Sequence, residues 1–112
     1  MLRHALIFTG SVCLCAALMA GLAAGQKKAG NAAKGKEVFE QCTMCHVVAT
    51  AEKKMGPSLK GLYKKKTLTN GKPVNDANVL AQINAGGNGM PAYADILTPE
   101  DRANLLAYLR TL

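Results

Sequence analysis

Cys42-Thr43-Met44-Cys45-His46 constrains this chain more than any other segment. Two thiols three positions apart, with an imidazole directly after the second, form the attachment pattern of a c-type haem. On a helical turn, residues i and i+3 share a face and i+4 lies beside them. That spacing lets Cys42 and Cys45 reach two vinyl groups of one ring as thioethers. It places His46 as the proximal ligand to the iron.

The competing uses of the same residues each lack something. A disulfide redox pair of the thioredoxin kind expects a βαβ setting, and no strand-rich segment is present. Structural zinc takes four Cys or His ligands, whereas beyond the first 25 residues the chain offers Cys42, Cys45 and His46 alone. A plain disulfide leaves His46 without a role.

Residues 1–25 read as a secretory signal, with Arg3 at the start, an apolar run from Ala5 to Leu18, and the small residues Ala23-Ala24-Gly25 at the cleavage site. The run is shorter than the roughly 20 apolar residues of a membrane span. An uncleaved anchor is the competing reading, and no stable membrane span is expected once the signal is cut. Cys13 and Cys15 leave with the signal, so the exported chain keeps only the two thiols that the haem would use. Export, here to the periplasm, suits a motif whose thioethers are made outside the cytoplasm.

Removing 25 of the 112 residues leaves 87, a single small domain over residues 26–112. So short a chain buries a modest share of its surface and usually needs a staple. A covalently held flat apolar ring would be that staple, and the haem-free chain is expected to be largely unfolded. Setting aside Arg3, thirteen basic residues face seven acidic ones, a formal +6. Nucleic acid, anionic lipid and acidic proteins are all possible partners for such a surface. For an exported haem protein the acidic protein is favoured, and nucleic acid is not expected.

The rest of the chain predicts helices and loops. Asn31 caps a helix running through Lys34, Val38, Phe39 and Gln41 into the haem motif. Val47 to Lys54 reads as a turn, and Met55 to Tyr63 as loop and short turns, punctuated by Gly56, Pro57 and Gly61. Thr67 to Val74 reads as an exposed loop. Asn75 or Asp76 caps a second helix with Val79, Leu80 and Ile83 as its apolar stripe, ended by Gly86-Gly87. Thr98-Pro99-Glu100-Asp101 opens a third helix: Thr98 caps, Pro99 takes the first position, and two acids face the positive end of the dipole. Leu105, Leu106, Tyr108 and Leu109 are its apolar content, and Arg110 suits its C-terminal end.

His46 is the only histidine after the leader, so two-histidine ligation within one chain is excluded. Met44 lies inside the attachment loop, and Met55 is only nine residues past His46. Met90 is 44 residues past it, between Gly89 and Pro91, with enough chain between to wrap around a ring edge. A methionine is more often flexible core filler, but the Gly-Met-Pro setting makes Met90 the candidate sixth ligand, and His/Met ligation raises a haem's potential.

With these residues in place, the stretch from Asn31 to Leu112 resembles the small class I, monohaem bacterial cytochromes c. The resemblance implies an all-α cytochrome c fold, in which N- and C-terminal helices cross and short helices and loops wrap one haem c. Gly35 and Phe39 match the N-terminal side of that crossing, Leu105 and Tyr108 the other. Gly56-Pro57-Ser58-Leu59-Lys60-Gly61 looks like the family's proximal loop, where the Pro57 carbonyl would accept a hydrogen bond from the His46 ring. Met90-Pro91-Ala92-Tyr93 looks like its axial-methionine segment. Two departures stand out: there is no Trp, and the stretch between Gly61 and Asn75 is short and strongly basic. Tyr63 and Tyr93 are each left between a haem propionate and the core.

The function these residues imply is one-electron carriage between a redox-protein donor and acceptor, not catalysis of a substrate's conversion. No nucleophile, acid–base pair or phosphate loop is evident. Lys53, Lys54, Lys60, Lys64, Lys65, Lys66 and Lys72 flank the haem segments as a candidate docking face for acidic partners, or simply as a solvated surface. Two other classes compete: a haem sensor or peroxidase-like protein with a labile sixth ligand, and an electron-entry cytochrome subunit of a larger dehydrogenase or reductase.

Overall fold

The computed structural model describes residues 30–112. The predicted signal, its cleavage point and Cys13 and Cys15 lie outside them. Three α-helices follow one another: α1 at Ala32–Phe39, α2 at Asp76–Ala85 and α3 at Pro99–Leu109. Short 3₁₀ turns at Glu40–Cys42 and Leu62–Lys64 complete the regular structure, and the described residues contain isolated β-bridges but no strand. Among the described residues no helix is long and apolar enough to cross a membrane.

Each helix starts where its cap residue dictates. The Asn31 side chain accepts a hydrogen bond from the Lys34 amide, and Asn75 accepts one from the Asn78 amide. At α3 the cap is reciprocal. Thr98 Oγ1 accepts from the Asp101 amide, and the Asp101 carboxylate accepts from the Thr98 amide, both at 3.0 Å. Two of the orphan donors at the helix start are satisfied together. Asp101 thus does more than face the dipole, and these bonds hold its carboxyl below the usual carboxylate range. α1 does not run smoothly into the Cys-x-x-Cys-His segment; its last turn tightens to 3₁₀ at Glu40–Cys42.

α1 and α3 cross at very close range. A Cβ built on Gly35 would lie 1.9 Å from the Asn104 carbonyl oxygen, and one on Gly30 would lie 1.9 Å from that of Ala103. Nothing larger than hydrogen fits at either place. Asn104, buried on α3, takes the Asn31 amide on its Oδ1 at 2.8 Å, so the start of α1 is pinned to α3 by a polar contact inside the crossing. Phe39 and Tyr108 pack beside it with ring centres 5.3 Å apart, a tilted pair of the kind that adds about 0.5–1.5 kcal/mol beyond burial. Phe39, Val79, Ile83, Leu97, Leu105, Leu106 and Leu109 form the core with Leu62; Leu80 and Tyr108 pack at its margin.

α2 joins this pair through charge as well as packing. The Arg110 guanidinium, at the end of α3, grips both carboxylate oxygens of Asp76, the first residue of α2. Tyr63 donates its hydroxyl to the same carboxylate at 2.7 Å. The Arg110 bonds, then the Tyr63 bond, hold Asp76 below the ordinary carboxylate range. Burial, reinforced by Asp76, pushes the Tyr63 phenol well above its ordinary value. Tyr63 packs against the core and through its hydroxyl is also the third member of a clamp joining three segments. Arg102 fastens the loop before α3, donating to the carbonyls of Ala94 and Leu97 at 2.9 Å each.

Candidate functional site

The Cys-x-x-Cys-His segment closes on itself. The amides of Cys45 and His46 both donate to the Cys42 carbonyl, at 3.1 and 2.9 Å. This compact turn presents Cys42, Cys45 and His46 together on one wall of a cavity of about 500 Å³, within the range of small-molecule and cofactor sites. Both cysteines are free thiols. Burial, with Cys45 adding to it, raises the Cys42 thiol above its ordinary pKa.

The loop that follows supports the imidazole from behind. The Gly56 amide donates to the Cys45 carbonyl at 2.8 Å, and the Leu59 amide to that of Val47 at 2.8 Å. Between these two ties the His46 ring donates from Nδ1 to the Pro57 carbonyl oxygen at 2.8 Å. A carbonyl can only accept, so the proton of the neutral ring sits on Nδ1 and the lone pair remains on Nε2. A Cβ on Gly56 would fall 2.6 Å from His46 Cε1 and 2.9 Å from Nδ1. Glycine is what lets the backbone back the ring so closely.

A second wall of the same cavity comes from the segment after α2. Gly87 and Met90 exchange two backbone hydrogen bonds, at 2.9 and 3.0 Å. The residues between them, Asn88 and Gly89, both have positive φ, 52° and 89°, as a tight hairpin turn of type I′ requires. Gly86 underlies the turn, where a Cβ would meet the Met90 carbonyl oxygen at 2.4 Å. Met90 is thus fixed at the end of a turn whose shape is set by its neighbours. Tyr93 lines the cavity too, its amide bonded to the Ile83 carbonyl at 3.0 Å. Burial raises its phenol, and the two thiols add to the shift.

Gln82, one turn before the end of α2, reaches the same place and was not evident from sequence. Its Nε2 donates to the Gly86 carbonyl at 3.0 Å and lies 4.0 Å from Met90 Sδ, while its Oε1 accepts from Asn70 at 3.3 Å. Of the other methionines among the described residues, Met55 alone shares the cavity with Met90. Met44 is 74% exposed and does not line the cavity, and Met55, 80% exposed, stands at its rim. All seven lysines of the basic group are exposed. Lys53 borders the cavity, Lys54 donates to the Thr43 carbonyl and Lys65 to the Ser58 carbonyl.

The sequence profile of the family described as Cytochrome c matches residues 32–112, nearly all of the described chain. The chain belongs to the cytochrome c family. A cytochrome c of Chlamydomonas reinhardtii is 35% identical to it over 104 residues, covering 73% of this chain and 89% of its own. A cytochrome c2 of Agrobacterium tumefaciens (strain II Chrys) is 30% identical, covering 71% and 90%. The crystal structure of cytochrome c6 from the diatom Phaeodactylum tricornutum superposes with a TM-score of 0.57 at 27% identity, over 73% of this chain and 93% of that one.

As a small class I cytochrome c, the protein has haem c as its cofactor and acts as an electron carrier among redox proteins, not as an enzyme. The all-α fold is that of the family. These residues fit the cofactor. Two free thiols, a ring nitrogen with its lone pair free and a thioether all border one cavity, and glycines stand where side chains would obstruct His46 and Met90.

Proposed function

We propose that this cytochrome c is an exported, periplasmic one-electron shuttle whose single haem c is held by Cys42 and Cys45 and ligated by His46 and Met90. When bound, the haem supplies the one-electron couple. Cys42 and Cys45 tether it covalently, and the turn that bonds both following amides to the Cys42 carbonyl keeps their spacing. His46 offers Nε2 because Pro57 claims Nδ1–H, and that bond makes the ring a stronger donor. Met90 offers its sulfur from a turn that leaves it little freedom, and Gln82 sets a polar N–H beside that sulfur. The mature chain is the single domain 26–112, freed from the leader 1–25.

The observation that carries this reading is the presence of Cys42, Cys45, His46 and Met90 around one cavity, with Met90 held at the end of a hydrogen-bonded turn on the wall across from His46. Optical spectra with and without carbon monoxide test it. Low-spin spectra with the weak Met–iron charge-transfer band, unmoved by carbon monoxide, are expected for the parent protein. Met90→Ala should become high-spin in the ferric form and bind carbon monoxide readily. A parent protein that already binds it would overturn Met90 as a ligand and turn the reading toward a sensor.

Acidic faces on the donor and acceptor complete the proposal. The exposed lysines, with Lys53 at the cavity itself, supply the complementary charge and steer association. Transfer rates to such a partner should fall as ionic strength rises, because screening shortens to about 10 Å at 0.1 M salt. Rates flat with salt would remove the docking face from the proposal.

A further inference from the structure

We infer that Ser58 is a positioning residue for the proximal ligand: its buried hydroxyl holds the Pro57 carbonyl in place against the His46 ring. The inference rests on the proposed ligation by His46.

Ser58 and Asn104 are the buried polar side chains of the described residues. Asn104 serves the helix crossing, whereas Ser58 sits directly after the residue whose carbonyl receives the imidazole proton. Its hydroxyl works in both directions. Oγ donates to the Thr50 carbonyl, with the Val47 carbonyl 3.4 Å away, and accepts the Lys60 amide at 3.2 Å. Its own carbonyl accepts from Lys65 Nζ at 2.9 Å. The residue is therefore braced from two sides, by the 47–50 turn and by a lysine seven positions on.

Alternative roles are weaker. A serine that only capped a turn would sit at the surface, where water could replace it. Ser58 is 8% exposed, and its removal would take the side-chain partner from the Thr50 carbonyl and the Lys60 amide at once. The backbone ties at Gly56 and Leu59 flank the Pro57–Ser58 peptide without touching it. They fix the ends of the proximal loop but not the tilt of the peptide between them. The Ser58 side chain is the group that restrains that tilt, and the tilt sets the line from Pro57 O to Nδ1.

The chemical consequence has a sign. A well-aligned Nδ1–H···O bond raises the electron donation of the ring to a metal. A looser one lowers it, so the oxidised state is stabilised less and the reduction potential rises.

The test compares Ser58→Ala, Ser58→Thr and Lys65→Met with the parent holoprotein, by proton NMR of the His46 ring and by redox titration. Ser58→Ala should raise the potential and speed exchange of the Nδ1 proton with solvent about fivefold, the factor that corresponds to about 1 kcal/mol of net hydrogen bond. Ser58→Thr, which keeps the hydroxyl, should restore both toward the parent. Lys65→Met removes the outer brace from an exposed position; it should speed the exchange in the same direction by a smaller factor, and serves as the informative variant if Ser58→Ala fails to mature. A Ser58→Ala protein that is less stable but shows parental exchange and potential would overturn the inference and leave a packing role. Absence of any paramagnetic shift at the His46 ring in the parent would instead overturn the ligation on which it rests.

Discussion

Gly35→Ala is the perturbation whose cost the structure fixes most directly. Two effects oppose each other. Replacing a helical glycine by alanine contributes about 1 kcal/mol through backbone entropy. The new methyl, however, would sit 1.9 Å from the Asn104 carbonyl oxygen and 2.8 Å from Tyr108 Cβ. The first distance is 1.1 Å inside the 3.0 Å that Cβ contacts respect, and the obstacle is helix backbone, which cannot rotate away. α1 and α3 must part by about that amount. Gaps of 0.5–1 Å forfeit roughly a quarter to a half of each dispersion contact, and the contacts at stake include Phe39 on Tyr108 and its packing against the leucines of α3. Overpacking of this kind costs about 3 kcal/mol, so the net destabilisation is about 2 kcal/mol. For a domain of this size that lowers Tm by roughly 8–16 °C. Far-ultraviolet circular dichroism of the ferric holoprotein during thermal unfolding measures it. Gly61→Ala is the control: its φ is +63° and nothing lies within 4 Å of the added carbon, so left-handed strain of about 1–2 kcal/mol is its whole cost. Equal or greater stability of Gly35→Ala would refute the close crossing.

Three further outcomes follow from the site and its supports. Asp76 has a folded pKa below its unfolded one, so its stabilising effect is complete above the ordinary aspartate range near 4 and disappears as pH falls through the folded value. Its side chain is half exposed, which keeps the effect under about 1 kcal/mol; Asp76→Asn should flatten the acid limb of stability in urea titrations at pH 2–5. Gln82→Leu removes the N–H beside Met90 Sδ, makes the sulfur a better donor to the oxidised state and should lower the potential by about 20–40 mV, taking 59 mV per tenfold for one electron; an unchanged or raised potential in a redox titration would show that the 4.0 Å contact is idle. Haem-free protein, made with Cys42 and Cys45 both changed to alanine, should show little native helix by circular dichroism, and retention of native helix content would refute the view of the cofactor as core.

Much of this arrangement is legible in the sequence because it is local. Asn31, Asn75 and Thr98 announce the helix starts through side chains that act two or three residues away, and each caps in the structure as its position implies. The Cys-x-x-Cys-His spacing likewise encodes its own turn. What stays hidden are pairings across long separations. Nothing in the helical pattern of α3 tells Arg110 to seek Asp76, 34 residues away, or Asn104 to take the amide of Asn31, 73 residues away. The sequence leaves Tyr63 equally suited to a propionate or the core; it packs against the core, and the partner of its hydroxyl, Asp76, is visible only once α2 is in place. Gln82 stands on a helix whose apolar stripe drew attention to Val79 and Ile83, the residues either side of its face. Asn88-Gly89 is a further local signal, the strongest short hairpin dipeptide, and it encodes the turn that holds Met90.

The division of the molecule explains why the haem site and the core cannot be separated. Among the described residues no side chain is less than 2% exposed, so protein alone seals nothing completely. Phe39 and Leu105, at the α1–α3 crossing, also line a small void of about 30 Å³ together with Cys42, Met90 and Tyr93. The same side chains thus face the helix crossing on one side and the haem walls on the other. The wall carrying Cys42, Cys45 and His46 belongs to the N-terminal half of the described chain, and the wall carrying Met90 to the C-terminal half, and among the described residues the helix crossing is the principal contact between regular elements of the two halves. A ligand bound to both walls adds a second crossing, at a right place to oppose the opening that Gly35→Ala imposes. The destabilisation by Gly35→Ala should therefore be larger in a Met90→Ala background, where the link proposed for Met90 is cut, than in the parent. Additive losses would mean that the two crossings are independent, and that the ring is lodged in a fold that the helices complete without it.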